Sequence, residues 1–198
     1  MIVTNTGSHA DIMNSLANED LMVSYSRGDA EAFETLYQRN KTALFRYLLR
    51  QLDQVALAEE FAHEVWLRVI RSRHSYEPKA KFTTYLFQIA HNHLVDHFRK
   101  SAKVKEVNIE DSENEVQDSI VTDDPESSID REKQRQIMLA LIRELPGEQR
   151  EVFLLKEEGN LSIDEIAQVV NENTETVKSR MRYAVKKLRD GMQPYLQV

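Results

Sequence analysis

Residues Leu161 to Leu188 carry the most directed chemistry in the chain. Six cations and no acid stand between Lys178 and Arg189. Arg and Lys in such a run serve phosphates and guanine edges, and hydroxyls beside them add directional hydrogen bonds. The spacing predicts a helix with Val177, Met181, Ala184, Val185 and Leu188 as its buried stripe and Lys178, Ser179, Arg182, Tyr183 and Lys186 pointing outward. A shorter helix precedes it: Ser162 and Glu165 have the separation of a capping box, and Ile163, Ile166, Ala167 and Val170 fall on one face. Asn171-Glu172-Asn173 forms the turn, since Asn enters left-handed backbone cheaply, and Thr174 is the expected cap of the second helix. Together these features predict a DNA-reading helix-turn-helix. A solvated basic helix shares the charge run, but not the capping box and turn that coincide with it.

A second basic and aromatic stretch lies earlier. Five cations (Arg68, Arg71, Arg73, Lys79, Lys81) face one acid, Glu77, and Phe82-Thr83-Thr84-Tyr85 follows directly. On the helix expected there, Phe82, Leu86, Ile89, Ala90 and Leu94 face inward, and Thr84, Gln88, Asn92 and Arg99 share the opposite face. Amides, hydroxyls and Arg beside a basic loop suit nucleic acid, and aromatic rings there suit bases drawn out of a duplex. The same residues read equally as core aromatics, Tyr85 and Phe87 among them, with a solvated polar face. His91, His93, His97 and Asp96 prompt a metal-enzyme reading, because His93 and His97 have helical ligand spacing. Their face also holds Phe82, Leu86 and Ala90, and the Glu of the zincin pattern is missing. No metal, cofactor or catalytic group is expected.

Helices must position both stretches. With five Gly, four Pro and no alternating strand, the chain is expected to be all-α: two small helical bundles joined by a flexible acidic linker, the second ending in the helix-turn-helix. Asn18 is the expected cap of a short helix ending near Gly28, and Asp29 of a longer one to about Arg50. A third runs from about Val55 to Arg71 and a fourth from about Thr84 to Lys100, with residues 72–81, which contain Pro78, as a loop. After an Asp130 cap, a helix from Arg131 to Leu145 opens the second bundle, and Pro146-Gly147 separates it from one ending at Gly159. The domains expected are a tail over 1–18, a bundle over 19–100, a linker over 101–130 and a bundle over 131–198.

The net charge of −7 argues at first against nucleic acid, but its distribution reverses that. Residues 101–130 hold ten acids and two lysines, whereas 1–100 balance at twelve of each sign and 131–198 hold twelve cations and eleven acids. The linker acids read two ways, as a solvated spacer or as a segment folding back on Lys178 to Arg189. The absence of cysteine excludes disulfides and thiolate metal sites and fits a reducing cytosol. No apolar run suggests a membrane span, and Met1 to Ala10 has no signal-peptide hydrophobic region, so a soluble cytoplasmic protein is expected. On the third helix, Ala58, Phe61, Ala62, Val65 and Val69 make the core stripe. Glu60, Glu64, Leu67 and Arg71 lie on the other side with Trp66 nearby, a pattern that fits a protein-docking surface or an ordinary exterior.

Over residues 19–100 and 131–190 the chain resembles the extracytoplasmic-function (ECF) sigma factors, the small two-domain class of the sigma-70 family of bacterial transcription initiation factors. The first domain carries Ala58-Glu59-Glu60-Phe61-Ala62-His63-Glu64-Val65-Trp66, then Phe82-Thr83-Thr84-Tyr85-Leu86-Phe87-Gln88-Ile89-Ala90-His91-Asn92. The second carries Leu145-Pro146 with Glu148-Gln149-Arg150, Leu161-Ser162 with Glu165-Ile166-Ala167, and Thr176-Val177-Lys178-Ser179-Arg180. The resemblance implies sigma region 2 over 19–100 and region 4 over 131–198. It implies core RNA polymerase as partner, through the beta-prime clamp and the beta flap, with Glu60, His63, Glu64 and Leu67 on the clamp. Promoter DNA would meet Arg73, Lys79, Lys81, Thr84, Tyr85, Gln88, Asn92 and Arg99 at the minus-ten element. Thr176, Lys178, Ser179, Arg180, Arg182, Tyr183 and Lys186 would meet it at minus-thirty-five. An anti-sigma factor and a stress or envelope response are also implied. His63 stands where glutamine is usual, Asn171 where glycine is common and Tyr183 where arginine is frequent. A response-regulator output domain, the alternative with a similar helix-turn-helix, lacks a first bundle of this kind.

Overall fold

The computed structural model describes residues 13–105 and 127–195. Among them there is no strand. A helical turn at residues 13–15 leads into α1 (Asn18–Ser26), α2 (Ala30–Leu52), α3 (Val55–Arg71), a 3-10 turn (Arg73–Ser75) and α4 (Phe82–Lys105). The second group is α5 (Ser127–Arg143), α6 (Gly147–Glu157), α7 (Ile163–Val170), α8 (Thr174–Met192) and a closing 3-10 turn (Gln193–Tyr195).

Helix ends show where local signals sufficed and where they did not. Asp29 caps α2 as expected, accepting from the backbone N–H of Glu31 and Ala32. Asn18 does not cap α1; Ala17 occupies that position, and the Asn18 carboxamide oxygen accepts from Arg39. The Arg39 guanidinium also binds the carbonyls of Met13, Asn14 and Leu16, which ties down residues expected in the tail. The fourth helix begins at Phe82 rather than Thr84 because Glu19, from α1, accepts the Phe82 N–H at 2.5 Å and supplies the missing cap. It continues to Lys105, and α5 starts at Ser127, so Asp130 lies inside α5 and both ends of the expected linker are helical. The rest of that segment, with the fold-back reading attached to it, lies outside the described residues.

The first core joins Leu21, Met22, Leu36, Leu44, Leu48, Phe61, Val65, Trp66, Phe82, Leu86, Ala90 and Leu94. Its centre is aromatic: Trp66 meets Tyr37 edge-on at 5.0 Å and stacks with Phe82 at 6.5 Å. Such pairs add about 0.5–1.5 kcal/mol beyond area burial. Trp66, a candidate for the docking surface, is therefore core. The second core gathers Leu145, Val152, Leu154, Leu155, Leu161, Ile166, Val169, Val177, Ala184 and Leu188.

The capping box forms reciprocally, with Glu165 N–H to Ser162 Oγ at 3.3 Å and Ser162 N–H to Glu165 Oε2 at 2.7 Å. Asn171 is left-handed at φ 52°, ψ 46°, and its N–H closes α7 onto Ala167. The cap of α8 is Asn173, not Thr174: the Asn173 side chain accepts from Thr176 N–H, while the Thr174 hydroxyl reaches Asp164. The two groups of helices touch, α4 packing on α7 and α2 on α6.

The left-handed turn yields a stability test. Asn171→Gly keeps urea stability within about 0.5 kcal/mol of the parent, whereas Asn171→Ile, whose Cβ crowds that backbone, lowers it by about 1–2 kcal/mol.

Candidate nucleic-acid interfaces

Helix α8 presents its cations much as the spacing predicts. Lys178, Arg182, Tyr183 and Lys186 are exposed, Thr176 and Ser179 half-buried. Arg182 lies over the Tyr183 ring at 5.6 Å, so the departing tyrosine positions a cation instead of replacing one. Lys178 pairs with Glu175 at 2.7 Å, an exposed contact that a phosphate can displace at small cost, and this hydrogen bond raises its pKa. Arg180 differs: its guanidinium is mostly covered and is held by Glu148 at 2.8 Å and Glu172 at 3.0 Å, which makes it a brace between α6, the turn and α8. Val185, expected in the core, is 38% exposed, and Met181 is half-buried. With Ile163 they floor an open groove rimmed by Lys178, Arg182 and Lys186. Helix α8 packs against α5, α6 and α7, and Met192 is buried further along it.

Along α4, Gln88, Asn92 and Arg99 are exposed on one face, as expected. Arg99 pairs with Asp96 at 2.9 Å. Thr84 is only 3% exposed, and its hydroxyl has no partner among the described residues. It sits in the stretch of α4 between two contacts with the second bundle, Lys81–Glu165 at 3.0 Å and His91–Glu151 at 2.5 Å. Tyr85 is half-buried, its hydroxyl 2.5 Å from Ser72 Oγ and its ring 5.3 Å from Tyr76, so it fixes the loop before α4. The Tyr76 hydroxyl is pushed up to about 12 by burial, with Glu19 and Tyr85 adding to it. Arg73 lies over the Tyr25 ring, and Lys79 pairs with Glu77 on the exposed loop. Gln88, Asn92 and Arg99 are thus open to solvent, while Lys81 is engaged by Glu165 and Thr84 is covered.

On α3, Glu60 and His63 are exposed, Glu64 and Leu67 half-buried. Arg68 and Arg71 both reach Glu64 at 3.3 Å. His93 and His97 of α4 serve packing: His93 lies 4.2 Å from the Phe61 ring centroid with Arg68 at 3.1 Å, and His97 meets the same ring edge-on. Burial, then the Arg68 charge, lowers the His93 pKa. Among the described residues no group of three or more acids, histidines or cysteines could hold a metal, and no helix is long and apolar enough to cross a membrane.

Sequence reasoning missed the contact between the bundles. Glu151 receives His91 at 2.5 Å and the Tyr47 hydroxyl at 3.3 Å, Glu158 takes Arg46 at 2.8 Å and Arg50, and Glu165 takes Lys81. Burial raises the Glu165 carboxyl, but hydrogen bonds from the Ser162 backbone and Lys81 outweigh it and hold the group below its ordinary value. Phe87 is buried beside Gly159, where an added Cβ would stand 2.7 Å from the Leu155 carbonyl and 3.2 Å from the Phe87 ring. Nothing in the local spacing signals this contact, because Glu151 lies on α6, Glu158 just beyond its end and Glu165 on α7, and their partners stand 60 to 112 residues away or on another element.

The sigma-70 region 2 family matches residues 36–104, and the sigma-70 region 4 family residues 135–188. ECF RNA polymerase sigma factor SigW of Bacillus subtilis is 29% identical over 168 residues, 82% of this chain and 90% of that protein. The RNA polymerase sigma-H factor of Pseudomonas aeruginosa is 27% identical over 185 residues, 90% of this chain and 95% of the relative. ECF sigma factor BldN of Streptomyces coelicolor is 29% identical over 172 residues, of whose length the match spans 63%. The fold is shared with the sigma factor RpoE in complex with the anti-sigma factor NepR from Bartonella quintana, at TM-score 0.69 and 16% identity over 83% of this chain and 98% of that one. It is shared also with CnrH in complex with the cytosolic domain of CnrY, at TM-score 0.63 and 18% identity over 90% and 99%.

Glu64 provides a titration test. The Arg68 hydrogen bond holds its carboxyl below the usual glutamate range against a smaller desolvation, with Arg71 assisting. The pairing is thus complete above the unfolded value of about 4.3 and is lost as pH falls through the depressed native value. Carboxyl-carbon NMR should find the Glu64 midpoint below that of a free glutamate, and Arg68→Ala should move it upward; an unmoved midpoint rules the pairing out.

Proposed function

Because the chain belongs to the sigma-70 family, in its extracytoplasmic-function class, we propose that it binds core RNA polymerase, directs it to particular promoters and helps open the start region. The observation that carries this reading is the pairing of two different polar faces in one chain. The Gln88, Asn92 and Arg99 face of α4 stands beside a basic loop, and the Lys178, Arg182, Tyr183 and Lys186 face of α8 closes a capped helix-turn-helix.

In this reading residues 19–100 act as region 2 and 131–198 as region 4. The outer side of α3, with Glu60, His63, Glu64 and Leu67, docks on the beta-prime clamp, and the second bundle meets the beta flap. Arg182 and Lys178 enter the major groove at the minus-thirty-five element; Thr176, Ser179 and Tyr183 add hydrogen bonds, and Lys186 meets phosphate. Arg180 braces the unit from inside. Arg73, Lys79, Tyr85, Gln88, Asn92 and Arg99 hold the minus-ten strand, and Lys81 and Thr84 join them once released from the second bundle. The chain carries out no covalent chemistry of its own and works where polymerase works, in the cytoplasm. Both solved relatives are named in complex with a second protein, an anti-sigma factor for RpoE, which supports an anti-sigma partner here, and a stress or envelope response is its natural setting.

Co-purification with core polymerase, followed by run-off transcription on genomic fragments, tests the reading; failure to bind core or to direct any start would overturn it. Charge reversal at Glu60, exposed on that face, weakens core binding while unfolding stays within about 0.5 kcal/mol of the parent. Unchanged core affinity would count against the docking face.

The two readers separate on a template mismatched around the start site. Arg182→Ala costs about 1–3 kcal/mol of promoter affinity where it meets a base, on duplex and bubble alike. The Asn92→Ala defect shrinks on the bubble. An identical response of both variants refutes the division of labour.

A further inference from the structure

We infer that α1 is the positioning element of the minus-ten surface: Glu19 and Tyr25, neither of them in a proposed DNA or polymerase contact, hold the two ends of the basic loop and thereby set how readily the chain opens promoter DNA. The inference rests on the functional reading above, in which Lys79, Lys81 and the polar face of α4 hold the minus-ten strand. That loop runs from Arg73 to Phe82, and its middle is exposed. Any freedom left in such a loop must be given up when it binds, so its grip on a strand depends on how firmly its path is fixed beforehand.

At its far end the loop meets a helix start that cannot cap itself. Lys81 stands at the N-cap of α4, its carbonyl accepting the Tyr85 N–H at 3.2 Å, and a lysine side chain has no acceptor to offer. Glu19 supplies the acceptor from α1, 2.5 Å from the Phe82 nitrogen, and places a carboxylate where the helix dipole favours one. Tyr76 completes this end, its ring against Phe82 and Tyr85 and its hydroxyl pushed up to about 12 by burial and then by the Glu19 charge. The near end is held by the same helix. Arg73 lies 5.5 Å over the Tyr25 ring, with its guanidinium 3.5 Å from the Tyr25 hydroxyl, and Tyr25 in turn packs on Phe33 at 4.7 Å. Glu19 and Tyr25 are six residues apart, about 9 Å along α1, so one short helix spans both anchors of the loop.

A strap works only if it is itself anchored. Leu21 and Met22 are wholly buried in the first core. The Arg39 guanidinium of α2 takes the carbonyls of Met13, Asn14 and Leu16 and the Asn18 carboxamide, so the residues leading into α1 are fixed as well. Helix α1 then packs on α2, on the 3-10 turn that opens the loop and on α4. The charge of Glu19 acts in the opposite sense to its position, because a carboxylate at the edge of a cationic loop repels phosphate. A role through charge therefore requires that neutralising Glu19 strengthen DNA binding. A role as cap requires that an amide, which keeps the acceptor, serve as well and that a methyl group fail.

The test uses the full chain with Glu19→Gln, Glu19→Ala and Glu19→Lys, and independently Tyr25→Phe, which keeps the ring under Arg73, and Tyr25→Ala, which removes it. Hydrogen exchange over the first turn of α4 should quicken about fivefold in Glu19→Ala, the loss that one helix cap accounts for, and stay parental in Glu19→Gln. Open-complex formation with core polymerase, on a duplex promoter taken from the run-off map, should fall about fivefold in Glu19→Ala, Glu19→Lys and Tyr25→Ala. It should stay parental in Glu19→Gln and Tyr25→Phe, and all five variants should keep parental affinity for core and for a duplex carrying the upstream element alone. Faster opening in Glu19→Gln and Glu19→Lys overturns the inference in favour of charge. Parental opening in Glu19→Ala or in Tyr25→Ala overturns it outright. A loss of core affinity that matches the loss of opening marks a general weakening of the first bundle and also overturns it. Should Glu19→Ala fail to fold, the Tyr25 pair decides by the same criteria. Absence of run-off transcription from the parent protein overturns the functional reading, and hydrogen exchange alone then judges the cap.

Discussion

Phe82, Leu86, Phe87, Ala90 and Leu94 leave water together on α4, each large side chain contributing about 1.5–3 kcal/mol, and that burial fixes the rotation of the helix about its axis. Everything else α4 does follows from the faces left over. Trp66, Tyr76 and Tyr85 pack around Phe82 and set the path of the basic loop. Glu19 closes the first turn of α4 through the Phe82 N–H, so α1 decides where α4 starts. Gln88, Asn92 and Arg99 are then obliged to face outward together, and Phe87 and His91 to face the second bundle.

Electrostatics divides the surfaces by exposure. The cations of α8 are exposed and lightly paired, as a surface meant for a polyanion must be, because strong internal partners would have to be displaced on binding. Arg180 is the exception, held by Glu148 and Glu172, and its work is to keep α8 in place against α6. Where the bundles meet the relation is reversed: Glu158 is almost wholly covered and is matched by two arginines. Between the bundles only the glutamates are well covered, Glu158 most of all, while Arg46, Lys81 and the Arg143–Asp53 pair remain open to water.

The same logic separates the two histidine settings. His93 and His97 are spaced as ligands but are occupied by the Phe61 ring and Arg68, so their geometry is that of packing at the edge of a core. His91, one turn earlier, faces a carboxylate on another element and belongs to the contact between the bundles.

The sequence alone determined the helical class, the two groups of helices and the form of the helix-turn-helix. Ser162, Glu165, Asn171 and the apolar period act through contacts within a few residues, and local contacts are written in local spacing. The cationic face of α8 and the polar face of α4 were legible for the same reason. What only the tertiary structure decided depends on partners far apart in the chain. Glu19 moved the start of α4, Trp66 turned inward to Tyr37 and Phe82, Arg180 was taken by Glu148, and Thr84 was buried although its helical neighbours on that face are exposed. The pairing of Arg46 and Arg50 with Glu158 spans more than a hundred residues, and no period in the sequence encodes it, because a periodic pattern records only which face of one helix is buried and not which distant element covers it.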